Sequence, residues 1–166
     1  MNSNFTKQLY LDRVIKYEYD RVNLTRLRIS AHRLEIELGR YRQTPQEERF
    51  CPWCKIVLGT NAIEDESHFL QHCDLNATHR RTVYHKIKST LTNAMSINTT
   101  TTVPSSTLSP HNISLNTNYL KLISNNSEIL TSVTNESQVH LTRIIAAYAA
   151  TCIKNRNKFT DSLSKK

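Results

Sequence analysis

A chain of 166 residues suffices for one ordinary domain, which at about 150 residues buries roughly 70% of the surface its unfolded form exposes. Only two glycines occur, so tight β-turn chemistry is scarce and the composition argues against an all-β fold and for a mainly α one. Lys and Arg outnumber Asp and Glu by 22 to 14, a balance of +8 that commonly accompanies polyanionic partners.

No run of about 18 apolar residues is present, and "MNSNFTKQLYLDRVIKYEYD" lacks the apolar core of a signal peptide. The expectation is an intracellular protein, nuclear or cytoplasmic, with no membrane association. In such a reducing compartment, clustered cysteines are metal ligands or redox groups more often than a disulfide framework.

Residues 7–20, with Leu9, Tyr10, Val14 and Tyr17, predict a short amphipathic helix. From Asn23 the pattern sharpens, and Leu24, Leu27, Ala31, Leu34 and Leu38 predict one helix with Asn23 as N-cap and Gly39 as the residue past its end. Arg26 and Arg33 fall on one flank of that helix, with Arg40 and Arg42 just beyond it. This strip reads either as a solvated flank pairing with carboxylates such as Glu37, or as a phosphate-contacting surface.

Further on, Val83, Ile87, Leu91 and Ala94 predict a helix over 75–94 whose other side carries Arg80, Arg81, Lys86 and Lys88. Residues 96–118 are low in charge and rich in Ser, Thr and Asn, with Pro104 and Pro110, and read as a polar linker. A short helical piece broken near Asn125 and Asn126 follows. Leu141, Ile144, Ile145, Tyr148 and Cys152 then define a last helix, with Lys154, Arg156 and Lys158 assigned to its C-terminus and Cys152 expected in its buried stripe. The expected organisation is a helical metal-binding module over 1–95, the linker, and a helical tail over 119–166.

The chemistry concentrates in "RFCPWCKIVLGTNAIEDESHFLQHC", residues 49–73. Cys51 and Cys54 stand in C-x2-C spacing, and His68 and Cys73 complete a C-x2-C-x13-H-x4-C pattern. A C-x2-C turn puts two sulfurs on one side of a loop, and a second pair can close a tetrahedron around Zn²⁺. Three thiolates and one imidazole leave no position for water, so such a zinc site is structural rather than catalytic. Two other readings stand beside it, a redox C-x-x-C, which lacks the expected βαβ context, and cysteines acting as small core hydrophobes. His79 is the alternative fourth ligand. Gly59 is placed to help reverse the loop between the ligand pairs. Glu64 is read as the acidic start of a helix, while Asp65 and Glu66 either share that role or orient the imidazole.

"LTRLRISAHRLEIELGRY", then "CPWC", "EDESHFLQHC" and "RR", resembles the zinc-binding C-terminal region of reverse transcriptases encoded by non-LTR (LINE-like) retrotransposons. Residues 24–41 and 49–81 follow that family's order, and the loop between Cys54 and His68 is longer than its usual one. The resemblance implies Cys51, Cys54, His68 and Cys73 as zinc ligands and a role in holding template RNA or target DNA. Arg26, Arg33, Arg40, Arg42, Arg80 and Arg81 are the candidate contacts, with Trp53 or Tyr41 as stacking surfaces. The paired aspartates of a polymerase are missing, Tyr17-Glu18-Tyr19-Asp20 being the nearest approach, so a non-enzymatic module without a small-molecule substrate is expected. The chain reads as the tail of such an element, a truncated or degenerate copy. The rival expectations are a structural or protein-interaction zinc module, or a relic without function.

Overall fold

The computed structural model of the protein describes residues 14–97 and 133–165. Among these residues the fold is mainly helical, with helices α1 (Glu18–Arg28), α2 (Glu35–Tyr41), α3 (Pro52–Val57), α4 (Ala77–Ile97) and α5 (Asn135–Leu163). The only β contact among them is a single antiparallel bridge between Phe50 and Ile63. Most of the linker and the helical piece expected before residue 133 lie outside the described residues, as does the first part of the predicted helix over 7–20.

The single helix expected from Asn23 to Leu38 is two helices. Its first part starts earlier, at Glu18, with Glu18 and Asp20 in the first turn and Arg26 and Arg28 in the last, signs that suit the helix dipole. Asn23 is therefore interior and buried, and its side-chain amide donates to the Tyr19 carbonyl. Helix α1 stops where Ser30 adopts a left-handed φ of 52°. The amides of Ser30 and Ala31 turn back to the carbonyls of Leu27 and Arg26, a helix stop that usually employs glycine. Apolar periodicity survived the break because both pieces face one core, with Leu24, Leu27 and Leu34 all buried.

Helix α2 starts without a cap of its own, since Leu34 in the N-cap position has no side-chain oxygen. Glu64, from far along the chain, supplies it: its carboxylate accepts the Glu35 amide at 2.7 Å and its carbonyl accepts the Ile36 amide at 3.2 Å. Gly39 lies inside α2 and not beyond its end. Its role is close approach, because a Cβ there would sit 2.6 Å from Cγ and Cδ of Arg49. Arg49 has little freedom to withdraw, as its guanidinium bonds the Thr44 and Ile36 carbonyls. Gly39→Ala is therefore expected to destabilise the protein by about 1–3 kcal/mol in urea unfolding. A loss below about 0.5 kcal/mol would show that Arg49 swings aside freely.

Helices α1, α4 and α5 form the main core. Leu24 and Leu27, Ile87, Leu91 and Ala94, and Leu141, Ile145, Ala146, Tyr148, Ala149 and Cys152 are all buried in it. Each fully buried large side chain contributes on the order of 1.5–3 kcal/mol, so this cluster supplies most of the apolar driving force. Phe69 and Leu70, between His68 and Cys73, join the same cluster. The C-terminal helix is thus packed on the cysteine-bearing module. It also runs past Lys154, Arg156 and Lys158 to Leu163, so these basic residues are interior to α5 and do not form its last turn.

Candidate metal centre

The chain enters the site through the Phe50–Ile63 bridge. The amide of Cys51 donates to the Ala62 carbonyl at 2.7 Å and that of Glu64 to the Arg49 carbonyl at 2.9 Å. These bonds reel in the long loop and set its base beside the first ligand pair. Pro52 occupies the first turn of α3, where a missing N–H costs nothing, and Cys51 precedes it in an extended conformation. Helix α3 then ends at Gly59, whose φ of 67° lets the Thr60 amide reach the Cys54 carbonyl at 3.0 Å.

The second ligand pair is set by a π turn over His68–His72, with the Cys73 amide donating to the His68 carbonyl at 2.7 Å. Residues five apart on an α-helix point roughly 140° apart around its axis. A π turn, closed by an i to i+5 bond, brings them onto one side. That is how His68 and Cys73 converge. Asp65 fixes the entrance of this turn, its carboxylate accepting the His68 amide at 2.6 Å.

Sγ of Cys51, Cys54 and Cys73 and a ring nitrogen of His68 all lie within 4.8 Å of one another. Cys51 and Cys73 are 3.8 Å apart through their sulfurs, Cys54 and Cys73 4.0 Å, and Cys54 Sγ is 3.3 Å from His68 Nε2. Thiolates at about 2.3 Å and imidazole at about 2.0 Å from a tetrahedral ion would stand roughly 3.8 Å (S to S) and 3.5 Å (S to N) apart, so the ligand set fits a zinc-sized ion. The three cysteines are buried and His68 is half-buried. The three cysteines are free thiols. His79 is not part of this group and lies on the first turns of α4.

The thiols are too close to ionise independently. A hydrogen bond from Cys73 holds Cys51 well below the ordinary thiol range, at about 4, against the opposing effect of burial. The hydrogen bond to Cys51, then burial and the Cys51 charge, push Cys73 up, while burial first and then Cys51 push Cys54 up to about 11. Three thiolates in this space call for a cation among them. The amides of Cys54 and Leu75 already point at Cys51 and Cys73 and favour their ionised forms.

Helix α5 braces this centre from one side. The Tyr148 hydroxyl donates to the Leu70 carbonyl within the π turn, and the Asn155 amide to Asn76 Oδ1 at 3.3 Å. Phe159 meets Trp53 edge-on at 4.9 Å between ring centroids. Arg156 Nε and Nη2 bond the two Glu64 oxygens at 2.7 and 2.8 Å, with Glu35 3.5 Å from Nη2. Burial opposes the Arg156 charge, but the Glu64 bonds, together with the Glu64 and Glu35 charges, raise its pKa above the ordinary value.

The acidic run therefore divides into three tasks. Glu64 does not open a helix of its own; it is 1% exposed, caps α2 and binds Arg156. Asp65 holds the backbone of His68. Glu66 accepts from Ser30, and its Oε1 is 2.8 Å from His32 Nε2, pinning the break between α1 and α2.

The candidate nucleic-acid residues fare unequally. Arg26, Arg33 and Arg81 are exposed. Arg40 and Arg42 are exposed too, each in an ion pair at 3.0 Å, with Glu37 and Glu35 respectively. Arg80 is half-buried and donates to the Cys73 carbonyl, which ties it to the metal centre. The turn at Ser30 also removes the helical register that placed Arg26 and Arg33 on one flank. Trp53 is half-buried against the cysteines and Phe159, whereas Tyr41 is 85% exposed.

Sequence reasoning missed Glu64 and Arg156 as a pair. Their separation of 92 residues left no local trace. One signal was present, since Arg156 continues the stripe through Tyr148, Ala149 and Cys152, and a cation on an apolar stripe calls for a buried partner. Comparison with protein-family models, curated proteins and solved structures finds no match to this chain. No helix among the described residues is long and apolar enough to cross a membrane.

Proposed function

We propose that this protein is a nucleic-acid-binding module folded around a structural zinc ion, related to the C-terminal region of non-LTR retrotransposon reverse transcriptases and holding template RNA or target DNA. The observation that carries the reading is the convergence of Cys51, Cys54, His68 and Cys73 on one point. Three sulfurs and one imidazole nitrogen suit zinc better than Mg²⁺ or Ca²⁺, which take oxygen ligands, and complete its coordination without a water to activate. Zinc here shapes the protein and performs no chemistry. The charge balance of +8 supports a polyanionic partner, and the exposed arginines Arg26, Arg33 and Arg81 supply cations to meet one.

A protein-interaction module is the second reading. It is favoured by Ile56, Val57 and Leu58, three consecutive apolar residues around the end of α3 that are each about half exposed, at 57%, 49% and 46%. One experiment separates the two. Protein purified under reducing conditions is expected to hold one zinc per chain and to bind a fluorescent single-stranded RNA, with affinity falling steeply between 50 and 200 mM salt as phosphate contacts are screened. Zinc-loaded protein that ignores RNA and DNA at about 50 mM salt would reject the nucleic-acid reading and leave the apolar tip as the working surface.

A further inference from the structure

The described residues carry a second basic surface, apart from most of the arginines singled out by sequence. Between α4 and α5 runs an open groove of about 350 Å³. His79, Thr82, Val83 and Lys86 line it from α4, and Arg143, Ile144, Ala147, Tyr148 and Thr151 from α5. Its floor is apolar and fixed, since Tyr148 is buried and anchored on Leu70. The rim carries Lys86, Arg143 and His79, and no carboxylate is among the lining residues.

The charge asymmetry extends along both walls. Helix α4 contains Arg80, Arg81, Lys86 and Lys88 with two histidines and no acidic residue over its 21 positions. Helix α5 carries acids only near its ends, at Glu136 and Asp161, away from the stretch that lines the groove. Arg143 is held in place because its Nε donates to the Val14 carbonyl at 2.6 Å. A guanidinium has five N–H donors, so that bond uses one and orients the remainder. A positioned guanidinium and a nearby ammonium on the rim make a phosphate-binding surface.

We infer that the α4–α5 groove is the track for a single-stranded nucleic acid, with Lys86 and Arg143 meeting backbone phosphates. The inference rests on the nucleic-acid reading above and names the surface that performs it. A single strand fits because its phosphates can meet the rim cations Lys86 and Arg143 while its bases offer flat apolar faces to Val83 and Ile144. RNA and DNA share the phosphodiester that the rim recognises, so the choice between them is left to the titration.

The test uses the full chain loaded with zinc and three fluorescent probes, a 20-nucleotide uridine RNA, its thymidine DNA counterpart and a 20-base-pair duplex. His79→Glu/Lys86→Glu reverses the rim and leaves the Arg143 anchor intact, and Lys86→Ala is the milder companion. Arg26→Glu/Arg33→Glu reverses the alternative surface. Zinc content and the melting midpoint verify that each variant is folded, and if the double variant is not, Lys86→Ala decides with a threshold of threefold. The groove variant is expected to bind the single strands about tenfold more weakly or worse, with a shallower dependence on salt. A loss of less than about threefold, with wild-type binding present, overturns the groove and preserves the nucleic-acid reading. Preference of the wild type for the duplex over both single strands also overturns it. Absence of any wild-type binding at about 50 mM salt overturns both.

Discussion

Chelation of zinc at neutral pH under reducing conditions is expected to unfold the protein cooperatively, with loss of most of its helical circular dichroism signal. The magnitude follows from what surrounds the ligands. Cys51, Cys54 and Cys73 form a small apolar cluster of their own, with Trp53, Ala62 and Leu75 packed against it. Those few side chains cannot offset the entropy of ordering residues 49–73, which at roughly 1–2 kcal/mol per residue runs to tens of kcal/mol. Structural zinc contributes an apparent 10–16 kcal/mol in small modules, comparable with the roughly 5–15 kcal/mol of a whole domain. Loss of the ion should also propagate beyond the knuckle. Phe69 and Leu70 lie between two ligands and belong to the main core, and Leu70 is the residue on which Tyr148 is anchored. His68→Ala and Cys54→Ser should reproduce the effect of chelation, each abolishing stoichiometric zinc in metal analysis. A chelated protein whose melting midpoint stays within about 2 °C of the loaded one would refute the structural role, because even 1 kcal/mol moves the midpoint of such a domain by several degrees.

The four clustered residues were legible in the sequence because their spacing is chemically narrow. Two thiols in C-x2-C can hardly avoid facing one point, and the second pair needed only a local device to join them. The device itself was not legible. A π turn has no residue signature comparable with a Gly or Pro signal, and His68-Phe69-Leu70-Gln71-His72 reads equally well as an α-helical turn. The break at Ser30 was hidden for a related reason: periodicity reports which side chains face the core, and Leu24, Leu27 and Leu34 do so on either side of the break. Gly39 shows the limit from the other direction, since a glycine at a predicted helix end suggests a stop. Only the fold reveals that Arg49 crosses the helix there. Cys152 was read correctly as buried, and the same stripe, extended by one more turn, leads to Arg156.

Arg156→Met is expected to cost about 3–5 kcal/mol, the second largest single effect after loss of a metal ligand. Arg156 is 6% and Glu64 1% exposed, so removing the guanidinium leaves a carboxylate buried with one remaining donor, the Glu35 amide. The loss also unfastens α5 from the start of α2 and from the strand bridge that carries Cys51. Glu64→Gln/Arg156→Met should recover part of the stability, because glutamine removes the uncompensated charge while its carbonyl can still accept the Glu35 N–H. The pH dependence has a definite sign. Burial already pushes the Glu64 carboxyl up and the Arg156 bonds oppose it, so without Arg156 its folded pKa rises further above the unfolded value. A folded state that binds the proton more tightly gains stability as pH falls and loses it as pH rises through the folded pKa. The gap between Arg156→Met and the wild type should therefore narrow from pH 8 to pH 6 in urea unfolding, and the double variant should show no such narrowing. A pH-independent gap would mean that Glu64 finds another cation or water when Arg156 is gone, and that the helix is held by Tyr148, Asn155 and Phe159 rather than by the ion pair.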